Sequence, residues 1–494
     1  MGRRKRDKGL VKQSYGVAPF VLEEVEAEST LTAHGGLMCV VEAARGMGLD
    51  EVTRRHVSLK HRERGYSEWE FVESLLAMIA GGGECVDDLG ALGADRGLVS
   101  LLGHEVPSPS ATKKFLYGFH DEEQAVEDAR QRELMPSYVP KQNAALVGLS
   151  RVNEHVIRQA QRSRPERTAT LDQDATIIES SKRVAELTYE GTRGYQPMVV
   201  VWAEQDLIVA DEFRDGNVPA GCDVLRVAQQ AFDALPEGTE QIYYRGDSAS
   251  YHHDLLNWLR EETSPGRPRA IFAISADMSR ELRKQVEAVE EWHKAPSDPC
   301  RSWGEVDFVP SAPSNKKGRK PDRYLGIRIT PYQKELFSDG SSVKYFAVVT
   351  NDFERDGMAI INWHRQKAGT IEHVHDVLKN DLAAGVLPCE RFGANAAWFR
   401  LNVLTYNVLS VLKRAALPKD LEQARPKRLR FVLFNVAGQL IQHARAIILR
   451  VAGRFGQWRV RLSEVRRKLA QHQARVWQPA AGRAADARLQ QASG

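Results

Sequence analysis

Three stretches of this 494-residue chain carry carboxylates in settings where they could do chemistry. Asp172 and Asp174 alternate within the strand-like run Thr168 to Thr176, so both side chains leave one face. Asp247 follows the apolar run Gln241 to Arg245 and precedes a helical pattern, which makes it project from a strand end. Glu372 opens a helical segment in which Lys379 stands seven residues later, about two turns on, so the acid and the cation share a face. Hard divalent cations such as Mg²⁺ take oxygen ligands, and one or two carboxylates with waters and a phosphate complete their octahedron. Two such ions about 3.5 to 4 Å apart stabilise the attacking and leaving oxygens of an in-line phosphoryl displacement. The candidate ligands are Asp174, Asp247 and Glu372, with Asp172 the less favoured first acid. Lys379 and a nearby Arg365 or Lys367 are the candidate phosphate-binding cations. Spacing alone does not select these acids, because 65 Asp and Glu offer many triplets that are no more than surface carboxylates.

The elements that must position them follow from periodicity. After the strand at 168–176, two more strands are predicted at Gln196 to Ala203 and Leu207 to Phe213, an antiparallel meander joined by a short turn. A helix at Asp223 to Leu235, a strand at Gln241 to Arg245, a helix at Tyr251 to Glu262 and a strand at Arg269 to Ser275 complete the order β-β-β-α-β-α-β. That is the order of a ribonuclease-H-like core, a mixed five-stranded sheet flanked by helices. The segmentation expected is a basic arm at 1–30, a helical DNA-binding region at 31–165 and the first part of the core at 166–276. A β-rich insertion with its own β structure at 277–362, the rest of the core at 363–415 and a basic helical region at 416–494 complete it. Within the N-terminal region a helix breaks at Gly81-Gly82-Gly83, and Ser108 or Ser110 caps a later one.

Composition limits the function classes. At 42% hydrophobic and 27% charged, the chain reads as a globular protein of two to four domains. No apolar run reaches the roughly 20 residues of a membrane helix, and no signal-peptide hydrophobic region follows the basic start, so a cytoplasmic protein with no membrane partner is expected. Five scattered cysteines without a CxxC pair argue against a disulfide framework or a thiolate zinc site. From Val411 onward there are 18 Lys and Arg against 4 Asp and Glu, a net +14 in a chain whose total is +4. Such asymmetry fits a polyanion-binding tail.

The runs Leu171-Asp172-Gln173-Asp174-Ala175-Thr176, Tyr244-Arg245-Gly246-Asp247-Ser248 and Lys367-Ala368-Gly369-Thr370-Ile371-Glu372 resemble those of bacterial insertion-sequence transposases of DDE-domain group 1. The stretch Arg391 to Leu401, with Leu404-Thr405-Tyr406-Asn407 after it, is similar to that family's segment beyond the third acid. The resemblance implies Asp174, Asp247 and Glu372 as the acidic triad, a ribonuclease-H-like core, and Mg²⁺ or Mn²⁺ as cofactor, two ions per site. It also implies double-stranded DNA as partner, through terminal inverted repeats and target DNA, and a homodimer holding the two element ends, a closed symmetric pair being the commonest assembly. Related enzymes carry Tyr-x2-Arg-x3-Glu-x6-Lys around the third acid; here Glu372 and Lys379 match, while Arg365 and Ala368 stand at the Tyr and Arg positions. The rival reading is a nuclease on the same fold that hydrolyses DNA without joining it.

Lesser signals complete the inventory. Trp303 in the insertion could stack on an unpaired base, with buried packing as the alternative. His252 and its neighbour His253 follow Asp247 closely enough to touch DNA. His373 and His375 diverge on a helix and read as surface histidines. Lys316, Lys317, Arg319 and Lys320 form a loop cluster suited to DNA backbone contact.

Overall fold

A computed structural model of the chain describes residues 30–60, 64–260, 269–296, 298–310, 322–331, 336–338, 340–443, 446–451 and 457–477. Between Met38 and Ser163 the described residues form eight α-helices. Their starts obey side-chain capping. Ser67 and Glu70 form a reciprocal box, and Asp95, Ser108, Asp121 and Asn143 each accept a bond from a first-turn N–H. The helix Glu68–Gly81 stops where Gly82 turns left-handed at φ 106°, inside the glycine run that predicted the break. The last of the eight, α1 (Ala144–Ser163), leads into the sheet.

Nine strands make one mixed sheet: β1 (Thr168–Ala175), β2 (Met198–Trp202), β3 (Leu207–Glu212), β4 (Gln241–Gly246), β5 (Ile271–Ser275), β6 (His293–Ala295), β7 (Asp298–Val306), β8 (Arg323–Ile329) and β9 (Lys344–Thr350). Their spatial order is β3-β2-β1-β4-β5-β9-β8-β7-β6. The first three form the expected antiparallel meander, and β1, β4 and β5 run parallel. This is the predicted ribonuclease-H-like core. The strands of 293–350 do not stand apart as separate β structure: β9 pairs antiparallel with β5, so they extend the core sheet. Pairing there covers an edge that would otherwise expose unbonded N–H and C=O groups.

At the other edge, β3 is sealed by α4 (Phe392–Ala416), a helix buried along nearly its whole length. Asn407 accepts from the Ile208 amide and donates to its carbonyl, both at 2.8 Å, and Arg400 grips the Asp211 carboxylate and carbonyl. These bonds satisfy edge groups that burial would otherwise strand. Gln173, between the two aspartates of β1, points the other way and bonds the Val224 carbonyl at the start of α2 (Val224–Ala234), as strand alternation requires.

Two features differ from expectation. The connection from β1 to β2 is a small three-stranded sheet of Ile178–Glu179, Arg193–Tyr195 and Glu186–Leu187. The C-terminal region is not all helix: Gly438–His443 pairs with Ala446–Val451 on one side and with Leu31–Thr32 on the other. β-branched Ile441, Ile447 and Ile448 favour that pleated state. The basic helix α5 (Gln457–His472) packs Leu462, Val465 and Leu469 inward and exposes Arg466 and Arg467. Among the described residues no helix is long and apolar enough to cross a membrane.

Candidate active site

The parallel register of β1 and β4 builds the centre of the site. Gln173 stands opposite Gly246, so Asp174 and Asp247 follow side by side at the carboxyl ends of adjacent strands, whose backbones lie roughly 4.8 Å apart. Asp174 accepts from the amide of Ala175, and Asp247 from that of Ala249, which fixes the turn Ser248–Ser250. Burial, then the neighbouring charge of Asp174, raise the Asp247 carboxyl above its ordinary range, with Lys367 and two backbone N–H groups opposing. The pair is short of positive charge.

Asp172, on the same face, is differently placed. It is fully buried and directly opposite Arg245, which donates to it through Nε (2.6 Å) and Nη2 (2.8 Å). Thr370 also donates to it. With its lone pairs taken, Asp172 is a strut of the sheet, and Asp174 is the free acid of the two.

The remaining groups come from one long helix. Asp356 caps α3 (Gly357–Lys367), which continues as a π turn Ala368–Glu372, an α turn His373–Asp376 and a second π turn Val377–Asp381. Lys367 is buried with Nζ 3.1 Å from Asp174 Oδ2. Glu372 is exposed, and its side chain makes no hydrogen bond or ion pair among the described residues. Lys379 makes no ion pair with it: its Nζ donates to Thr176 Oγ1 (2.9 Å) and the Ile177 carbonyl (3.4 Å), holding the exit of β1. The two π turns, each bonding i to i+5, break the simple two-turn phase on which the shared face rested. They also turn His375 inward, contrary to the surface reading, and burial lowers its pKa to about 4. Burial lowers His364 likewise, to about 4, and its Nε2 lies 2.9 Å from the Gly246 carbonyl beside Asp247.

Of the other sequence candidates, Arg365 and His252 are exposed. Trp303 is buried, its ring packed against Gly357 where an added Cβ would lie 2.1 Å from it, so it is a core residue and offers no face to a base. Lys316, Lys317, Arg319 and Lys320 lie outside the described residues. Tyr189 went unnoticed in the sequence. It is 78% exposed at the tip of the small sheet, and the pKa of its phenol is raised first by partial desolvation, then by the bond to and charge of Glu190, and least by Asp174 and Asp247. The signal was the connection itself, too long between β1 and β2 for a plain turn.

The donor set fits a hard divalent cation at Asp174 and Asp247. Two carboxylates at adjacent strand ends, one of them raised by burial and by the charge of the other, are what such an ion neutralises. Among the described residues, however, no group of three or more His, Cys, Asp or Glu gathers as a metal site, so Glu372 is not drawn in with the other two.

A mixed sheet in this order, presenting paired carboxylates at its central strand ends, defines a ribonuclease-H-like nucleic-acid enzyme. The family model for transposase DDE domain group 1 matches residues 24–474, and the chain belongs to that family of transposases. Enzymes of the family use divalent metal ions. No curated protein matches the chain. A solved structure, the cryo-EM structure of a piggyBac transposase synaptic complex with hairpin DNA, is similar over 81% of this chain and 79% of that chain, at 11% identity and a TM-score of 0.42. That likeness is too remote to carry an argument about this chain.

Proposed function

We propose that this transposase cuts DNA at the terminal inverted repeats of an insertion element and joins the freed 3′ ends to target DNA, using two Mg²⁺ ions at Asp174, Asp247 and Glu372. The observation that carries the reading is the register that sets Asp174 beside Asp247 on the face covered by the helix bearing Lys367 and Glu372. Divalent ions bound there supply charge neutralisation at the attacking and leaving oxygens. Asp174 and Asp247 would provide fixed oxygen ligands from the rigid sheet, and Glu372, which is not gathered with them in this structure, would complete the set from the adjoining helix. In the first step a water oxygen bonds to the phosphorus and the 3′ oxygen leaves, taking up a proton. In the second that 3′ hydroxyl displaces a 3′ oxygen of the target, so one phosphodiester forms as one breaks and no energy source is consumed. Lys367, Arg365 and Lys379 serve the flanking phosphates. The N-terminal helical region and the basic C-terminal region hold the element ends, and two copies act as a pair because two ends must be joined.

A strand-transfer assay with DNA carrying the element ends tests this. Joined products that depend on Mg²⁺ and vanish in Asp174→Ala, Asp247→Ala and Glu372→Ala, with DNA binding retained, are expected. Cleavage without joining would favour a nuclease, and full activity in any one variant would remove that residue from the site.

A further inference from the structure

The two acids on one face of β1 are each met by a cation, and the two cations are held in different ways. Arg245 clasps Asp172 with two bonds, and its Nη1 is tied to the Trp363 carbonyl at 2.8 Å. The paired side chains are 3% and 0% exposed, so this planar fork is locked in place. Lys367 reaches Asp174 through a single contact of 3.1 Å, and the side chains there are 10% and 20% exposed. Among the described residues that is the one polar contact its ammonium makes. A compact ammonium on a flexible stem can swing away without breaking anything else. It also sits at the last turn of α3, where the backbone passes into a π turn.

We infer that Lys367 is the exchangeable counter-ion of the metal site: its ammonium neutralises Asp174 until a divalent cation binds, and is then expelled from the carboxylate toward a DNA phosphate. This rests on the proposed reading of Asp174 and Asp247 as metal ligands. A dication and an ammonium cannot share one carboxylate oxygen at contact distance, because their repulsion carries twice the charge product of the ion pair it replaces. Metal binding therefore works against Lys367. Asp174 keeps its place without the lysine, since its backbone pairs with Val199 and its Oδ1 accepts from Ala175. The cation contributes charge, and the strand contributes geometry.

The test is Mn²⁺ binding to the DNA-free, full-length protein, measured by titration calorimetry or by the electron-spin signal of free Mn²⁺. Lys367→Met and Lys367→Gln remove the charge and should bind Mn²⁺ at least about ten-fold more tightly than wild type, while Lys367→Arg stays within about three-fold of it. The Gln variant keeps the comparison intact where the Met variant does not fold. Asp174→Asn should abolish the binding. If Asp174→Asn abolishes it and neither neutral variant tightens it, the counter-ion inference fails while the metal site stands. If Asp174→Asn leaves Mn²⁺ binding unchanged, the metal-ligand reading fails and takes the inference with it.

Discussion

Asp172 and Asp174 differ by two positions on one strand, yet their isosteric substitutions should fail in opposite ways. In Asp172→Asn the Arg245 guanidinium, 3% exposed, loses its charged partner and keeps the Trp363 carbonyl, its ring and one amide oxygen. Removing one partner of a buried pair costs about 3–5 kcal/mol, and the retained amide oxygen puts Asn at the lower end. At roughly 2–4 °C per kcal/mol, about 3 kcal/mol lowers the unfolding transition of the core by roughly 6–12 °C. Asp174→Asn leaves the Lys367 ammonium an amide oxygen in place of a carboxylate but gains relief from Asp247, so its loss of stability should be smaller, about 1 kcal/mol. Its metal-dependent cleavage should fall at least about 10³-fold, because a metal's neutralisation of transition-state charge is worth several kcal/mol and each 1.36 kcal/mol is a decade. Asp172→Asn, assayed cold enough to remain folded, should stay within about ten-fold of wild type. Thermal unfolding by circular dichroism and cleavage of an end-labelled duplex read both quantities. Should Asp174→Asn destabilise the core as much as Asp172→Asn, or should Asp172→Asn keep its stability and lose cleavage, the assignment of strut and ligand would be wrong.

Other expectations are narrower. Trp303→Ala should cost about 3–5 kcal/mol by emptying its place against Gly357, with no change in the cleavage position while the protein is folded; a shifted cut at unchanged stability would restore a base-stacking role. Arg459→Gln and Arg467→Gln, on the exposed face of α5, should each flatten the logarithmic salt dependence of DNA binding by about 0.9, and unchanged slopes would exclude that face. His104 bonds the buried Glu73 at 2.8 Å, and although burial works to lower its pKa, Glu73 and the Glu105 carbonyl leave it raised. Its folded pKa lies above the unfolded one. Its contribution, on the order of 1–3 kcal/mol, is therefore complete below the unfolded value of about 6.5 and lost as pH rises through the folded value. Denaturant unfolding of wild type against His104→Gln from pH 6 to 9 should show this difference shrinking; a constant difference would refute it.

The core order was legible because alternation and turn residues are local: each strand and helix of the meander and of the two βαβ steps was readable within about ten residues. The choice between Asp172 and Asp174 was not settled by the strand, since a period of two puts both on one face. What separates them is Arg245, brought opposite Asp172 by a parallel pairing whose partner is 73 residues away. The same limit hid the fate of Trp303. It was placed only within a β-rich region, and neither its strand nor its face could be read, because the residue that receives its ring, Gly357, begins a helix 54 positions later. The family-like stretch from Arg391 to Asn407 was legible as a motif and opaque as physics. Its Arg400 and Asn407 are there to satisfy the edge of β3 and not to meet a substrate.

The helix that carries Glu372 shows a different kind of failure. Reading Glu372 and Lys379 as neighbours assumed 3.6 residues per turn throughout, and seven residues then make about two turns. Nothing in Ala368 to Asp381 announces a π turn; the slip is a response to what the helix must reach. Lys367 and Thr370 are fastened to Asp174 and Asp172 at one end, and Lys379 is fastened to the exit of the same strand at the other. A regular helix advances about 1.5 Å per residue in fixed phase, and a twisted strand offers its anchor points at another spacing, so the helix meets both only by changing its bonding between them. Site geometry is thus a joint property of sheet register and helix slip. The register places the aspartates firmly, through ladder bonds on either side of β1. The slip bears on where Glu372 and Lys379 face, and Lys367, at the turn where α3 passes into the π turn, is the group through which a bound cation would act on the helix side of the site.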